Sequence, residues 1–289
     1  MAGYLLKLMG PVSLTHMNDN GGISEINLSR TSQGLLAYVA LHSSKASISR
    51  EAVAEALWPE TPPEKSRSNL STALWRLRNS VRNPDREEPL IDKGNRIAIA
   101  PKSVLCVDVH QLAEHTQALT LAEIDTWDTA DVATLESAVS ARRGNFLDGV
   151  EGEWTYTARQ TCADIYEAGL EALIRFHRHR GNLKRSIDAA RQIVNDDPYR
   201  EDIHAMLVEL YALRGQRSRA IAQYVNCRDL LRSELGVRPG EALRARLHDA
   251  VGHKGLSNPE FHEIVRTMNQ TIGLLARHLD DLRNLMDDR

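Results

Sequence analysis

Apolar and polar positions follow two regimes along the chain. Up to about residue 104, short apolar runs lie between turn-forming clusters. Beyond that point apolar residues recur every three to four positions. Residues 4–9 read as a strand, ended by Pro11 and by a polar cluster at His16–Gly22, where Asn-Asp-Asn-Gly-Gly marks a turn. Ile23, Ile26 and Leu28 predict a second short strand. Ser29–Ser32 offers caps for a helix over Gln33–Leu41, and Ser49 caps a second over Arg50–Leu57, stopped by Pro59, Pro62 and Pro63. Leu70, Leu74, Leu77 and Val81 then fall at i, i+4, i+7 and i+11, which predicts a third helix over Lys65–Arg82. Leu90 and Ile91, a Lys-Gly-Asn turn, and alternating Ile97 and Ile99 complete a β-hairpin.

From Val107 onward the pattern is helical throughout. Helices are expected over Asp108–Leu119, Thr126–Ser140 and Trp154–His179. Gly181 and Gly215 stand 34 residues apart, the period of tetratricopeptide helical hairpins, which predicts a stacked array. Past Gly255, Asn258 and Pro259 open a last helix. In it Phe261, Val265, Met268, Ile272, Leu275, Leu279, Leu282 and Met286 alternate steps of four and three, a heptad seam that fits a parallel two-stranded coil and hence a homodimer. Ile264, Leu274 and Leu285 lie off the seam and keep antiparallel pairing, a four-helix bundle and packing against the body open.

Charge singles out the third helix. Lys65–Arg82 holds five basic residues and no acidic one, in a chain of net charge −3. Residues 1–104 carry 13 Lys and Arg against 10 Asp and Glu; the rest carries 23 against 29, so a polyanion would meet the N-terminal part. Ser68, Thr72, Trp75, Arg76 and Asn79 point away from the apolar stripe, flanked by Lys65, Arg67, Ser71, Arg78 and Arg82. Such side chains read base edges and meet phosphates in a DNA major groove, although a solvated basic face is the plain alternative. The order of small sheet, three helices with the third basic, then hairpin is that of a winged helix. Lys93 and Arg96 lie beside the wing tip, where they would meet the DNA backbone.

The string LLAYVALHSSKASISREAVAEALWPETPPEKSRSNLSTALWRLRNSVRN resembles the DNA-binding half of the SARP-type antibiotic regulatory activators. GNFLDGV, Asp197–Glu201 and Glu234–Pro239 resemble landmarks of the bacterial transcriptional activator domain that accompanies it. The resemblance covers roughly residues 1–250 and implies a winged helix over 1–104 and an all-α tetratricopeptide-like domain over 105–254; with the C-terminal heptad helix over 257–289, which lies beyond it, the chain is mainly α with a small β component. It also implies a transcription regulator that binds double-stranded DNA and contacts RNA polymerase; with no membrane-length apolar run and no basic leader at MAGYLLKLMG, a cytoplasmic protein is expected. Trp75 departs from the family, where a small polar residue is expected; stacking on DNA, contact with polymerase and packing on the wing all fit.

Other chemistry finds little footing. Cys106, Cys162 and Cys227 are far apart and form no CxxC, as expected of buried thiols in a reducing compartment. Phosphate-cradling glycine loops and HExxH are absent from the sequence, so no cofactor, no metal and no catalytic residues are expected. The rival reading is a protein–protein scaffold whose winged helix no longer binds DNA.

Overall fold

A computed structural model describes residues 3–17, 22–43, 46–81 and 88–252, and the chain divides into two compact units after Arg180. Arg82 and the heptad segment 257–289 lie outside the described residues.

The first unit begins with β1 (Gly3–Lys7), β2 (Ser13–Met17) and β3 (Ile23–Ile26). Strand β1 pairs with β2 antiparallel, Leu6 opposite Leu14, and with β7 (Leu105–Val107) parallel, giving the order β3-β2-β1-β7. One of these strands corrects the sequence expectations and another adds to them. His16 belongs to β2 and not to a turn; it is buried opposite Tyr4, the two rings edge to face at 5.2 Å. Its polarity hides a strand whose neighbouring residues, Leu14 and Thr15, are also buried. Strand β7 has no counterpart among the expected elements and lies just ahead of the helix expected from Asp108, because its pairing partner lies about a hundred residues earlier.

Three helices follow β3: α1 (Arg30–His42), α2 (Arg50–Leu57) and α3 (Pro63–Val81). Both predicted serine caps are present: Ser29 Oγ accepts the Ser32 amide at 3.2 Å and Ser49 Oγ the Ala52 amide at 3.1 Å. The hairpin of β5 (Leu90–Lys93) and β6 (Arg96–Ile99) joins the short β4 (Ile48–Ser49) in the order β4-β6-β5. Gly94 turns the tip at φ +62°, the left-handed region glycine adopts without strain. Leu35, Leu36, Leu70, Leu74, Leu77 and Ile97 form the core between helices and hairpin. Each such side chain contributes about 1.5–3 kcal/mol by leaving water.

Helices α4 (Asp108–Leu121), α5 (Thr129–Ser140) and α6 (Trp154–His179) complete this unit. They are joined to the N-terminal sheet by polar contacts as well as packing. The Asp108 carboxylate, 7% exposed, accepts the amides of Leu8 (2.9 Å to each oxygen), Met9 (3.1 Å) and Val109 (2.8 Å). The GNFLDGV segment docks on the same stretch: the Leu147 amide donates to Leu8 O at 3.0 Å and the Asp148 amide to Gly10 O at 3.1 Å. Arg159 gathers the carbonyls of Phe146 (3.1 Å) and Val150 (2.7 Å), while the Arg142 guanidinium lies 4.7 Å from the ring centres of Phe146 and Tyr166. This landmark loop is therefore a fastening between the sheet and the helical layer.

The second unit holds α7 (Leu183–Asp196), α8 (Glu201–Leu213), α9 (Arg217–Leu230) and α10 (Glu241–Gly252), with a π-type turn at Leu231–Leu235. Helix α8 packs against α7, α9 and α10. Gly181 and Gly215 both sit at φ +72° with open space where a Cβ would project, so the 34-residue period marks equivalent turns before α7 and α9. Among the described residues no helix is long and apolar enough to cross a membrane, and no cluster of His, Cys, Asp or Glu is placed to hold a metal.

Candidate nucleic-acid interface

Helix α3 owes its orientation to the turn before it. The Trp58 amide closes α2 on Ala54 O at 3.0 Å, and Pro63 starts α3 at a position where a missing N–H costs nothing. Leu70, Ala73, Leu74, Leu77 and Val81 are buried, which turns Ser68, Thr72, Trp75, Arg76 and Asn79 outward, all of them exposed. Trp75 is 62% exposed, the largest apolar side chain on this face. The hydroxyls of Ser71, Thr72 and Ser80 donate to the carbonyls of Arg67, Ser68 and Arg76 at 3.0–3.1 Å, leaving their oxygens able to accept further bonds.

The flanking cations differ in their surroundings. Lys65 and Arg76 are exposed and make no ion pair among the described residues. Arg67 is exposed and meets Glu51 at 3.0 Å, a screened contact of small worth. Arg78 is half-buried, its Nε 3.0 Å from Glu88 and its Nη2 3.1 Å from Asp92. The bond to Glu88, with the field of both carboxylates, raises the Arg78 pKa further against a smaller opposing effect of burial. At the wing, Lys93 and Arg96 face each other across the hairpin and both are exposed. Arg96 donates to Ser47 Oγ at 2.6 Å and also to the Ser47 carbonyl.

Two residues without a sequence signal join these pieces. Arg50, the first residue of α2, donates through Nη1 to both oxygens of Asp92 at 2.7 and 2.8 Å and through Nη2 to Ser71 Oγ at 3.0 Å. Asp92 on β5 thus ties the wing to α2 and α3 at once. The partners are 42 and 14 residues from Asp92 along the chain, and no local periodicity pairs them.

Known proteins carry the same organisation. A profile of the bacterial transcriptional activator domain matches residues 107–251. The transcriptional regulator RedD of Streptomyces coelicolor is 30% identical over 250 residues, covering 83% of this chain and 68% of RedD. The regulatory protein AfsR of the same organism is 25% identical over 214 residues, which span 73% of this chain but only 21% of AfsR. The transcriptional regulatory protein MoaR1 of Mycobacterium bovis is 23% identical over 287 residues, 96% of this chain and 84% of MoaR1. A solved structure of Mycobacterium tuberculosis EmbR, in complex with a low affinity phosphopeptide, superposes with a TM-score of 0.67 over 96% of this chain and 72% of that one, at 19% identity. That superposition establishes a common fold of winged helix and helical domain. With half the chain inside the activator-domain profile and RedD aligned over most of its length, the protein belongs to the bacterial transcriptional activator domain family and is a SARP-type transcription regulator.

Proposed function

We propose that this regulator reads double-stranded DNA with the outward face of α3, recruits RNA polymerase as an activator, and acts as a homodimer through residues 259–288. The observation that carries the reading is the set of exposed Ser68, Thr72, Trp75, Arg76 and Asn79 opposite a fully buried apolar stripe. Arg76, unpaired among the described residues, has its guanidinium available for a base edge. Lys93 and Arg96 extend the cationic surface from the wing. In functional terms residues 1–104 form the DNA-reading module and 105–254 the helical module that meets polymerase. As expected of a regulator, the chain has no catalytic duty in this reading.

Fluorescence anisotropy on a duplex selected by the protein from a random-sequence pool tests it. Arg76→Ala should cost about 1–3 kcal/mol, mainly on the selected duplex. Arg78→Ala should weaken binding to all duplexes and reduce the log–log salt slope by about one. Binding of both variants as tight as that of the parent at physiological salt refutes α3 as the reading helix. Light scattering on the full chain at micromolar concentration tests the dimer, and a monomer there removes it.

A further inference from the structure

Asp92 occupies the point where three elements meet. Its side chain is 11% exposed, against 23% for Arg50 and 41% for Arg78, so one shielded carboxylate serves two guanidinium groups. The main chain adds to the junction: the Arg50 amide donates to the Asn95 carbonyl at the wing tip at 2.9 Å, and Ser49 pairs with Arg96. The hairpin tip is thereby fastened to the start of α2. Strand β5 is the outer strand of its sheet, and its polar ties to α3 run through Asp92, directly to Arg78 and by way of Arg50 to Ser71.

A protein that engages one duplex with a helix and a wing needs a fixed offset between them, because both contacts must register on the same base pairs. We propose that Asp92 is a positioning residue for DNA discrimination: by holding Arg50 and Arg78 it fixes the wing against α3, so that both surfaces meet one site together. This rests on the reading of α3 as the DNA-contacting helix. The charge of Asp92 makes the role separable from affinity. A carboxylate near a polyanion opposes binding, so its removal strengthens sequence-independent association. The same removal loosens β5 against α3 while the main-chain bonds at the hairpin tip remain, so sequence preference falls.

The test uses the full-length chain, a selected duplex of about 30 base pairs, and poly(dI-dC) as the sequence-independent probe. Asp92→Asn should bind poly(dI-dC) about twofold to fivefold more tightly at low salt, while its preference for the selected duplex falls by about tenfold, the loss of one well-placed contact. Arg50→Lys keeps the charge but cannot span Asp92 and Ser71, so its preference should fall by about threefold with poly(dI-dC) affinity unchanged. If Asp92→Asn does not fold, the Arg50→Lys measurement decides alone. A folded Asp92→Asn or Arg50→Lys protein that keeps the parental preference overturns the positioning role, even where its melting temperature is lower. A parent that prefers no duplex overturns the DNA reading itself, which a loss confined to the two variants does not.

Discussion

Replacing Asp108 by asparagine perturbs the join between sheet and helical layer while keeping the side-chain volume. The carboxylate accepts from three amides at 2.8–3.1 Å, and Leu8, Met9 and Val109 around it are buried. Hydrogen bonds to a charged group contribute about 1.5–3 kcal/mol each, so the gross loss with all three is about 4.5–9 kcal/mol. The cost of burying the charge, which the variant no longer bears, outweighs the gain from these bonds, so the loss in the variant comes from its amide group. Asparagine retains one acceptor oxygen, but its amide nitrogen confronts an N–H. The net loss should be about 2–4 kcal/mol, a large part of the stability of an ordinary domain and about 4–16 °C in melting temperature for a unit of this size. Urea unfolding followed by circular dichroism reads it, and a loss below about 0.5 kcal/mol for Asp108→Asn refutes the fastening. The pH dependence gives a second check. Burial raises the Asp108 pKa, outweighing the lowering by the Met9, Leu8 and Val109 amides and by Arg143. A raised folded-state value means that the native protein binds the proton more tightly than the unfolded chain. The Asp108 contribution is then full below the unfolded pKa and is lost as pH rises through the folded one. The stability gap between parent and Asp108→Asn should therefore widen on acidification from neutrality; a narrowing gap shows that the amide bonds outweigh burial.

Glycine substitutions should have opposite signs at two kinds of position. Gly181→Ala and Gly215→Ala force a Cβ into the left-handed region at φ +72° and should each cost about 1–2 kcal/mol in thermal unfolding, whereas Gly34→Ala, within α1 and 3.7 Å from Val150 Cγ1, should be neutral or stabilising by up to about 1 kcal/mol. Equal effects at all three contradict the backbone account. Burial pushes the Cys162 thiol up to about 12 and Cys227 to about 11, so stability present below the unfolded thiol value of about 8.5 is lost as pH rises towards those values. Denaturant midpoints from pH 8 to 10.5 should fall, less steeply in Cys162→Ala; identical slopes refute the claim.

Much of this molecule is legible from local pattern. Ser49 before Arg50–Leu57, the apolar stripe of α3, the hairpin around Gly94 and the full extent of Trp154–His179 all follow from caps, periodicity and turn chemistry acting over a few residues. What escapes has long-range causes. Strand β2 is masked because His16 owes its burial to Tyr4 on another strand, and β7 exists only as a partner of β1. The outward face of α3 is likewise readable from helical geometry, but the pairing of Arg78 with Asp92 is not. That pairing depends on where the wing folds back.

The parallel pairing of β1 with β7 also orders events in time. A ribosome makes Leu5 about a hundred residues before Cys106, its partner across the ladder, and Leu8 about 135 residues before Arg143 at the start of the loop that covers it. At about 5–20 residues per second this interval is on the order of ten seconds. During it the apolar face of Leu6, Leu8 and Leu14 has only part of its final cover, while α1–α3 and the hairpin have already been synthesised. Slow translation through residues 105–150 therefore prolongs the exposure of that face, and chaperones that bind apolar segments should engage nascent chains of that length more than shorter or longer ones.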